Sequence, residues 1–150
     1  MLSMQEMSDR LEIQDLFTRY CYAIDGRDWD ALDAMFTPDA RIDYTATGGA
    51  AGSLSEMKAW LGGALAPFAM SQHMVALPNL VFDGDSASSR MILFNPMGMD
   101  DGEGNIATFF CGVWYHDKLV RTEAGWRIAE RAQQLAYMHS TPNAKGFRSV

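Results

Sequence analysis

Ala23-Ile24-Asp25-Gly26-Arg27-Asp28-Trp29-Asp30-Ala31-Leu32, followed by Arg41-Ile42-Asp43-Tyr44, carries the change from a long amphipathic helix to the first strand. Upstream of it, Ile13, Leu16, Phe17, Tyr20 and Ile24 recur at helical intervals, which turns one stripe of the helix inward. Ser3 with Glu6, or Asp9 with Glu12 a turn and a half later, has the spacing of a capping-box start, and Gly26 offers a left-handed stop. Asp25 lies beside the apolar stripe at its C-terminal end. A carboxylate on that side needs a hydrogen-bonding partner, and the first histidine of the chain, His73, is the candidate.

Downstream, Asp28 caps a predicted short helix that turns Trp29, Leu32, Met35 and Phe36 inward and is closed by Thr37-Pro38. From Ala40 to Thr45 the pattern alternates, predicting a strand with Ile42 and Tyr44 on its buried face. After the loop Thr47-Gly48-Gly49-Ala50-Ala51-Gly52, Ser53 and Glu56 form a capping-box pair ahead of Leu54, Met57, Leu61 and Leu65 on one helical face. Past Pro67 the period becomes two. Gln72 to Phe82, Ala87 to Met97, Ile106 to Arg121 and Gly125 to Met138 read as four long strands joined by Asp/Gly-rich turns. The predicted order is α-α-β-α-β-β-β-β, an α+β fold. Three helices cannot cover both faces of such a sheet, so a strongly curved, mostly antiparallel sheet is expected to wrap the first helix as a cone with an open end. An open end of that kind suits a small apolar ligand.

A chain of 150 residues fits one domain, here 1–150, with no repeat or linker. Twelve basic against 19 acidic residues, a formal charge of -7, argue against nucleic acid or an anionic membrane as partner. No secretory leader pattern or spanning stretch is legible, which points to a cytoplasmic location. Cys21 and Cys111 match neither a disulfide framework nor a paired zinc spacing and read as buried thiols. The glycines at 48–52 lack dinucleotide or phosphate-loop spacing, and no Gly-x-Ser-x-Gly elbow exists, so no cofactor and no metal are expected. Asp100, Asp101 and Glu103 with Gly102 and Gly104 lack the full calcium-loop series and read as a solvated turn. Trp29, Trp60, Trp114 and Trp126 read as packing residues, and His116 and His139 as exposed ones. Of eleven methionines, Met70, Met74, Met91, Met97 and Met99 are placed around the expected mouth, and with Phe94, Phe109, Phe110 and Val113 suggest a deformable apolar lining.

The Asp-Gly-Arg-Asp-Trp-Asp helix ending, the Thr-Pro-Asp-Ala-Arg-Ile-Asp-Tyr strand, the Ser-Gln-His-Met segment and the Gly-Trp-Arg-Ile-Ala final strand resemble the SnoaL-like group. That group belongs to the nuclear transport factor 2-like superfamily of cystatin-like α+β cones, and within it the likeness is strongest to scytalone dehydratase, from about Asp9 to Tyr137. The resemblance implies His73 as base, Asp25 as its acid partner and Tyr44 as the group polarising a substrate carbonyl. Other positions depart from it: Ile24 stands for a tyrosine, Asn95 or Met97 for a second histidine, and Phe109 and Cys111 for small polar residues. Scytalone itself is therefore not the expected substrate.

The chemistry implied is water loss next to a ketone: an α-proton is removed, the enolate oxygen is stabilised, and the leaving hydroxyl is protonated. An imidazole, with an ordinary pKa of about 6.5, takes such a proton without a metal, and Asp25 would fix its tautomer. Tyr20 offers a further hydroxyl, and Ile24, Asn95, Met97, Phe109, Cys111 and Val113 complete the expected contacts to a hydrophobic cyclic hydroxyketone. Each side chain also has a structural reading: Asp25 as a helix-end cap, Tyr44 as a core anchor, His73 as a hydrogen-bonded strand residue. Three other readings stay open: a noncatalytic ligand-binding module, a ketosteroid isomerase- or polyketide cyclase-like enzyme, and a structural subunit like the small subunit of ring-hydroxylating dioxygenases. The resemblance further implies a homo-oligomer, dimer or trimer, associating through the outer sheet face.

Overall fold

A computed structural model of the chain describes residues 1–100, 102 and 105–140. Its elements are helix α1 (Met4–Asp25), strands β1 (Phe36–Asp43) and β2 (Ala51–Ser53), helix α2 (Leu54–Ala64), and strands β3 (Phe68–Ser71), β4 (Met74–Val75), β5 (Asn79–Asp83), β6 (Ser86–Asp100), β7 (Ile106–Thr122) and β8 (Gly125–Ser140). The sheet runs β2-β1-β8-β7-β6-β3, with β4 and β5 also paired to β6. All pairings are antiparallel except β1 with β8. Helix α1 packs against both β8 and β4, strands on opposite sides of β7 and β6, so the sheet curls round the helix. It does not close: the expected barrel is an open, mixed eight-stranded sheet.

The inward stripe of α1 is buried as the periodicity requires, with Ile13, Leu16, Phe17, Tyr20 and Ile24 all 2% exposed or less. The helix starts at Ser3, whose hydroxyl accepts from the Glu6 N–H. Its stop differs from expectation. Gly26 keeps a right-handed φ of -80°, and Arg27 takes the left-handed place at φ 58°. The Asp28 N–H reaches the Ala23 carbonyl and the Arg27 N–H that of Ile24, a Schellman closure one residue late. An Nη2 hydrogen bond from Arg27 to the Phe68 carbonyl (3.3 Å) ties that left-handed residue to β3.

The predicted second helix is a correction: only a five-residue 3-10 turn, Asp30–Ala34, forms there, so two α-helices cover the sheet instead of three. Sheet pairing cuts it short, because the Met35 carbonyl accepts from the Ile128 N–H and Phe36 pairs with Ile128. Strand β1 therefore begins before Pro38, which is tolerated where the β1–β8 register shifts between Phe36 and Arg41. The strand expected over Gln72 to Phe82 is likewise split into β4 and β5, with β3 ahead of them. Pro78 breaks it once. The other break is chemical: the His73 N–H leaves the ladder and donates to the Asp25 carboxylate. The Ser53–Glu56 capping box of α2 is complete. The Asp101, Glu103 and Gly104 part of the acidic turn lies outside the described residues.

At the closed end of the cone, buried Asp9 accepts from Arg121 Nη2 (2.7 Å), Gln5 (3.1 Å) and the Trp126 indole (3.2 Å), and Arg121 stacks on Trp126. The hydrogen bond from Arg121 is the main cause that holds the Asp9 carboxyl at about 2, against the opposing effect of burial. A depressed carboxyl stabilises the fold above its ordinary value of 3.8, and that contribution is lost as pH falls through about 2. Asp9→Asn is thus expected to lower the urea midpoint at pH 7, with the gap from the parent narrowing at pH 2. An equal gap at both pH values would contradict this. No helix among the described residues is long and apolar enough to cross a membrane.

Candidate functional site

The open end of the cone holds a cavity of about 360 Å³, small for a ligand pocket. Tyr20, Ile24, Tyr44, His73, Asn95, Met97, Phe109, Cys111 and Val113 all line it. Asp25 stands behind His73: its Oδ1 lies 2.7 Å from His73 Nδ1, and its Oδ2 accepts from the His73 backbone N–H at 2.7 Å. Ser71 Oγ donates to Oδ1 at 2.7 Å. The His73 side chain is 7% exposed and that of Asp25 23%. Burial alone raises the Asp25 carboxyl, but the two hydrogen bonds and the charge from His73, with Ser71, outweigh it and hold the group below its ordinary value. An ionised Asp25 only accepts, so Nδ1 carries the proton and Nε2 is left with its lone pair.

Beside the imidazole stands a tyrosine group. Tyr20 packs edge-on against His73 and against Tyr115, and its hydroxyl is 2.7 Å from that of Tyr44. Burial, then the neighbouring Tyr20, pushes the Tyr44 and Tyr115 phenols well above their ordinary range, with Arg131 acting the other way. Both phenols stay neutral and remain donors. The Arg131 guanidinium lies 4.2 Å from the Tyr20 and Tyr115 ring centres and is paired with Asp117.

Asn95 is buried, and in the orientation that satisfies its amide the nitrogen donates to the Gln72 carbonyl at 3.1 Å. It thereby holds the segment that carries His73. Of the methionines placed at the mouth only Met97 lines the cavity: Met91 is core, Met70 packs over Gly98, and Met74 and Met99 are exposed. Phe94 and Phe110 stack on each other outside it, at 5.6 Å. Trp60, read as packing, does pack against the core and also lines the cavity.

Sequence reasoning also missed Ser71, Thr47, Phe68, Tyr115, Gln133 and Met138. Tyr115 was legible, because it continues the alternation Phe109, Cys111, Val113 along β7. Gln133 and Met138 were not, because β8 pairs with β7 through two bulges, between Ile128 and Glu130 and between Leu135 and Tyr137. Each extra residue reverses which parity faces inward.

With this geometry the class of the protein is defined by its open α+β cone. Residues 5–132 match the SnoaL-like domain, and the chain belongs to that family, within the nuclear transport factor 2-like superfamily. It is 49% identical over 133 residues to an uncharacterised protein of Mycobacterium tuberculosis, covering 89% of each chain. A candidate aromatic ring hydroxylase of Novosphingobium aromaticivorans superposes with a TM-score of 0.79 at 26% identity, over 90% of this chain and 94% of that one. A candidate scytalone dehydratase of the same species gives 0.76 at 18%, over 94% and 97%. The hexachlorocyclohexane dehydrochlorinase LinA-type3 of Novosphingobium barchaimii gives 0.79 at 16%, over 96% and 95%. The last two likenesses are likenesses of fold.

Proposed function

We propose that the chain is a cofactor-independent lyase that removes water from a hydrophobic cyclic hydroxyketone. The observation that carries the reading is the Asp25–His73 contact at 2.7 Å on a cavity lined by neutral tyrosines. His73 Nε2 takes the proton α to the carbonyl, and Asp25 stabilises the imidazolium that forms. The carbonyl oxygen becomes an enolate held by the Tyr20–Tyr44 hydroxyl pair. As the enolate collapses, the β-hydroxyl leaves with the proton from Nε2–H, giving an enone and water. Asn95 cannot supply that proton, so His73 serves both halves of the reaction.

One observation favours a second reading on the same residues. A single base facing a pocket in which Asn95 replaces a second acid-base group suits an isomerase, which returns the same proton to another carbon. Both readings begin with carbon deprotonation. The test is deuterium exchange at the α-carbon of 2-tetralone in D₂O, followed by proton NMR. Exchange well above buffer is expected. Exchange at the buffer rate for 2-tetralone and for 4-hydroxy-2-tetralone, whose hydroxyl is β to the carbonyl, would sink both. With the latter as substrate, water loss, read as 2-naphthol, the aromatic tautomer of the enone, separates the lyase from the isomerase.

A further inference from the structure

The reaction above makes no use of the Arg131–Asp117 pair, although it stands directly behind the tyrosines that hold the enolate oxygen. The guanidinium carbon lies 4.2 Å from the ring centres of Tyr20 and Tyr115, 5.4 Å from that of Phe17 and 5.8 Å from that of Phe36. Tyr20 and Tyr115 line the cavity, and Arg131 does not. Its Nε and Nη2 both go to Asp117, at 2.6 and 3.0 Å, while Nη1 has no hydrogen-bond partner among the described residues. The carboxylate thus sits on one edge of the cation, and the rings cover its face. A buried ion pair with a stranded N–H is a poor stabiliser, since apolar side chains of similar volume often serve a fold as well.

The tyrosines under this charge form one connected set. The Tyr115 hydroxyl accepts from Gln133 Nε2 at 3.5 Å and also engages that of Tyr20, whose oxygen is 2.7 Å from that of Tyr44. An amide nitrogen only donates, so Tyr115 turns its own hydrogen toward Tyr20. Tyr20 stands edge-on to His73, which brings the set to the side of the base. A cation over a phenol ring favours negative charge on the phenol oxygen and so strengthens the O–H as a donor. Burial and then Tyr20 push the Tyr44 phenol up, but of the two buried charges the lowering effect of Arg131 is larger than the raising effect of Asp117.

We infer that Arg131 is a positioning residue for the proposed reaction: acting through Tyr20, its charge stabilises negative charge on a ligand oxygen held at the Tyr20 and Tyr44 hydroxyls. The ligands favoured are flat ring compounds whose oxygen is anionic, enolates and phenolates, ahead of their neutral forms. The inference rests on reading the cavity as the site of an enolate-forming ring ketone.

Ionisation of bound 2-naphthol tests it with no proton leaving carbon. At about pH 8, below the ordinary phenol range, absorbance gives the ratio of naphtholate to naphthol on the protein. The wild type should hold this ratio above its value in buffer. Arg131→Met with Asp117→Leu removes both charges together and should lower the bound ratio about tenfold, with the affinity for neutral 2-tetralone kept within about threefold. Asp117→Asn leaves the cation uncompensated and should raise the ratio, a sign that a packing defect does not produce; either variant alone decides. In a Tyr20→Phe background the double change should move the ratio less than twofold. A wild-type ratio no higher than in buffer, no binding of 2-naphthol, an unchanged ratio in the double variant, a fall in Asp117→Asn, or an equal fall without Tyr20 would each overturn the role of Arg131. Absence of α-exchange with the expected ratios intact would leave that role standing and remove the lyase and isomerase readings.

Discussion

Arg131→Ala is expected to cost roughly 3–5 kcal/mol of stability, enough to leave a domain of this size largely unfolded. Both Arg131 and Asp117 are fully buried, joined by hydrogen bonds of 2.6 and 3.0 Å, with Ser89 donating to Asp117 at 3.1 Å. Arg131 Nη1 has no hydrogen-bond partner among the described residues; the faces of Tyr20 and Tyr115 surround the guanidinium instead. Truncating Arg131 leaves the Asp117 carboxylate out of water with one hydroxyl for company and opens a void beneath the tyrosines. Removing both charges is a different experiment. Arg131→Met with Asp117→Leu eliminates the unpaired ion while keeping much of the volume, and it is expected to recover more than half of the loss. Urea unfolding of Arg131→Ala and of the double variant reads both numbers. A single-variant loss below about 1 kcal/mol, or a double variant no better than Arg131→Ala, would show that the pair is not what holds this part of the core.

That pair was invisible in the sequence for the same reason that Gln133 was. Arg131 follows Trp126 and Ile128 on β8, and strict alternation from those two residues turns it outward, where an arginine is unremarkable in a sequence. The bulge between Ile128 and Glu130 turns it inward. Features set by local sequence were readable. The α1 stripe, the Ser53–Glu56 box and the alternation of β6 and β7 depend on near neighbours and on burial of one face, and the structure follows them. The approach of Asp25 to His73 is a contact across 48 residues, and periodicity has no term for it; it was reachable only through a buried acid in want of a partner and a family likeness. The splitting of the predicted strand at His73 is the converse case. The backbone donor that the sheet loses there is the one that fixes the carboxylate, so the deviation from regular structure marks the site.

His73→Ala is expected to lower the α-exchange rate by roughly 10²- to 10⁴-fold, the usual worth of a positioned general base. Cavity shape and the tyrosine hydroxyls remain, so probe affinity should change far less than rate, which separates a catalytic from a packing role. Asp25→Asn should fall in the same range by another route. An amide N–H can donate to Nδ1, which moves the ring proton to Nε2 and leaves the cavity facing a donor where it needs a lone pair. Asp25 also receives the His73 backbone N–H and the Ser71 hydroxyl, so a thermal melt of Asp25→Asn must accompany the rate. A folded but slow variant supports the tautomer argument, and a merely unfolded one does not. Because the Asp25 carboxyl is held below its ordinary value, its contribution is present above the usual carboxylate range and is lost only as pH falls through the depressed value. The wild-type rate should therefore show no limb from Asp25 between about pH 5 and 8. Exchange by His73→Ala within tenfold of the wild type would take the proton away from His73 and with it the reaction proposed for this cavity.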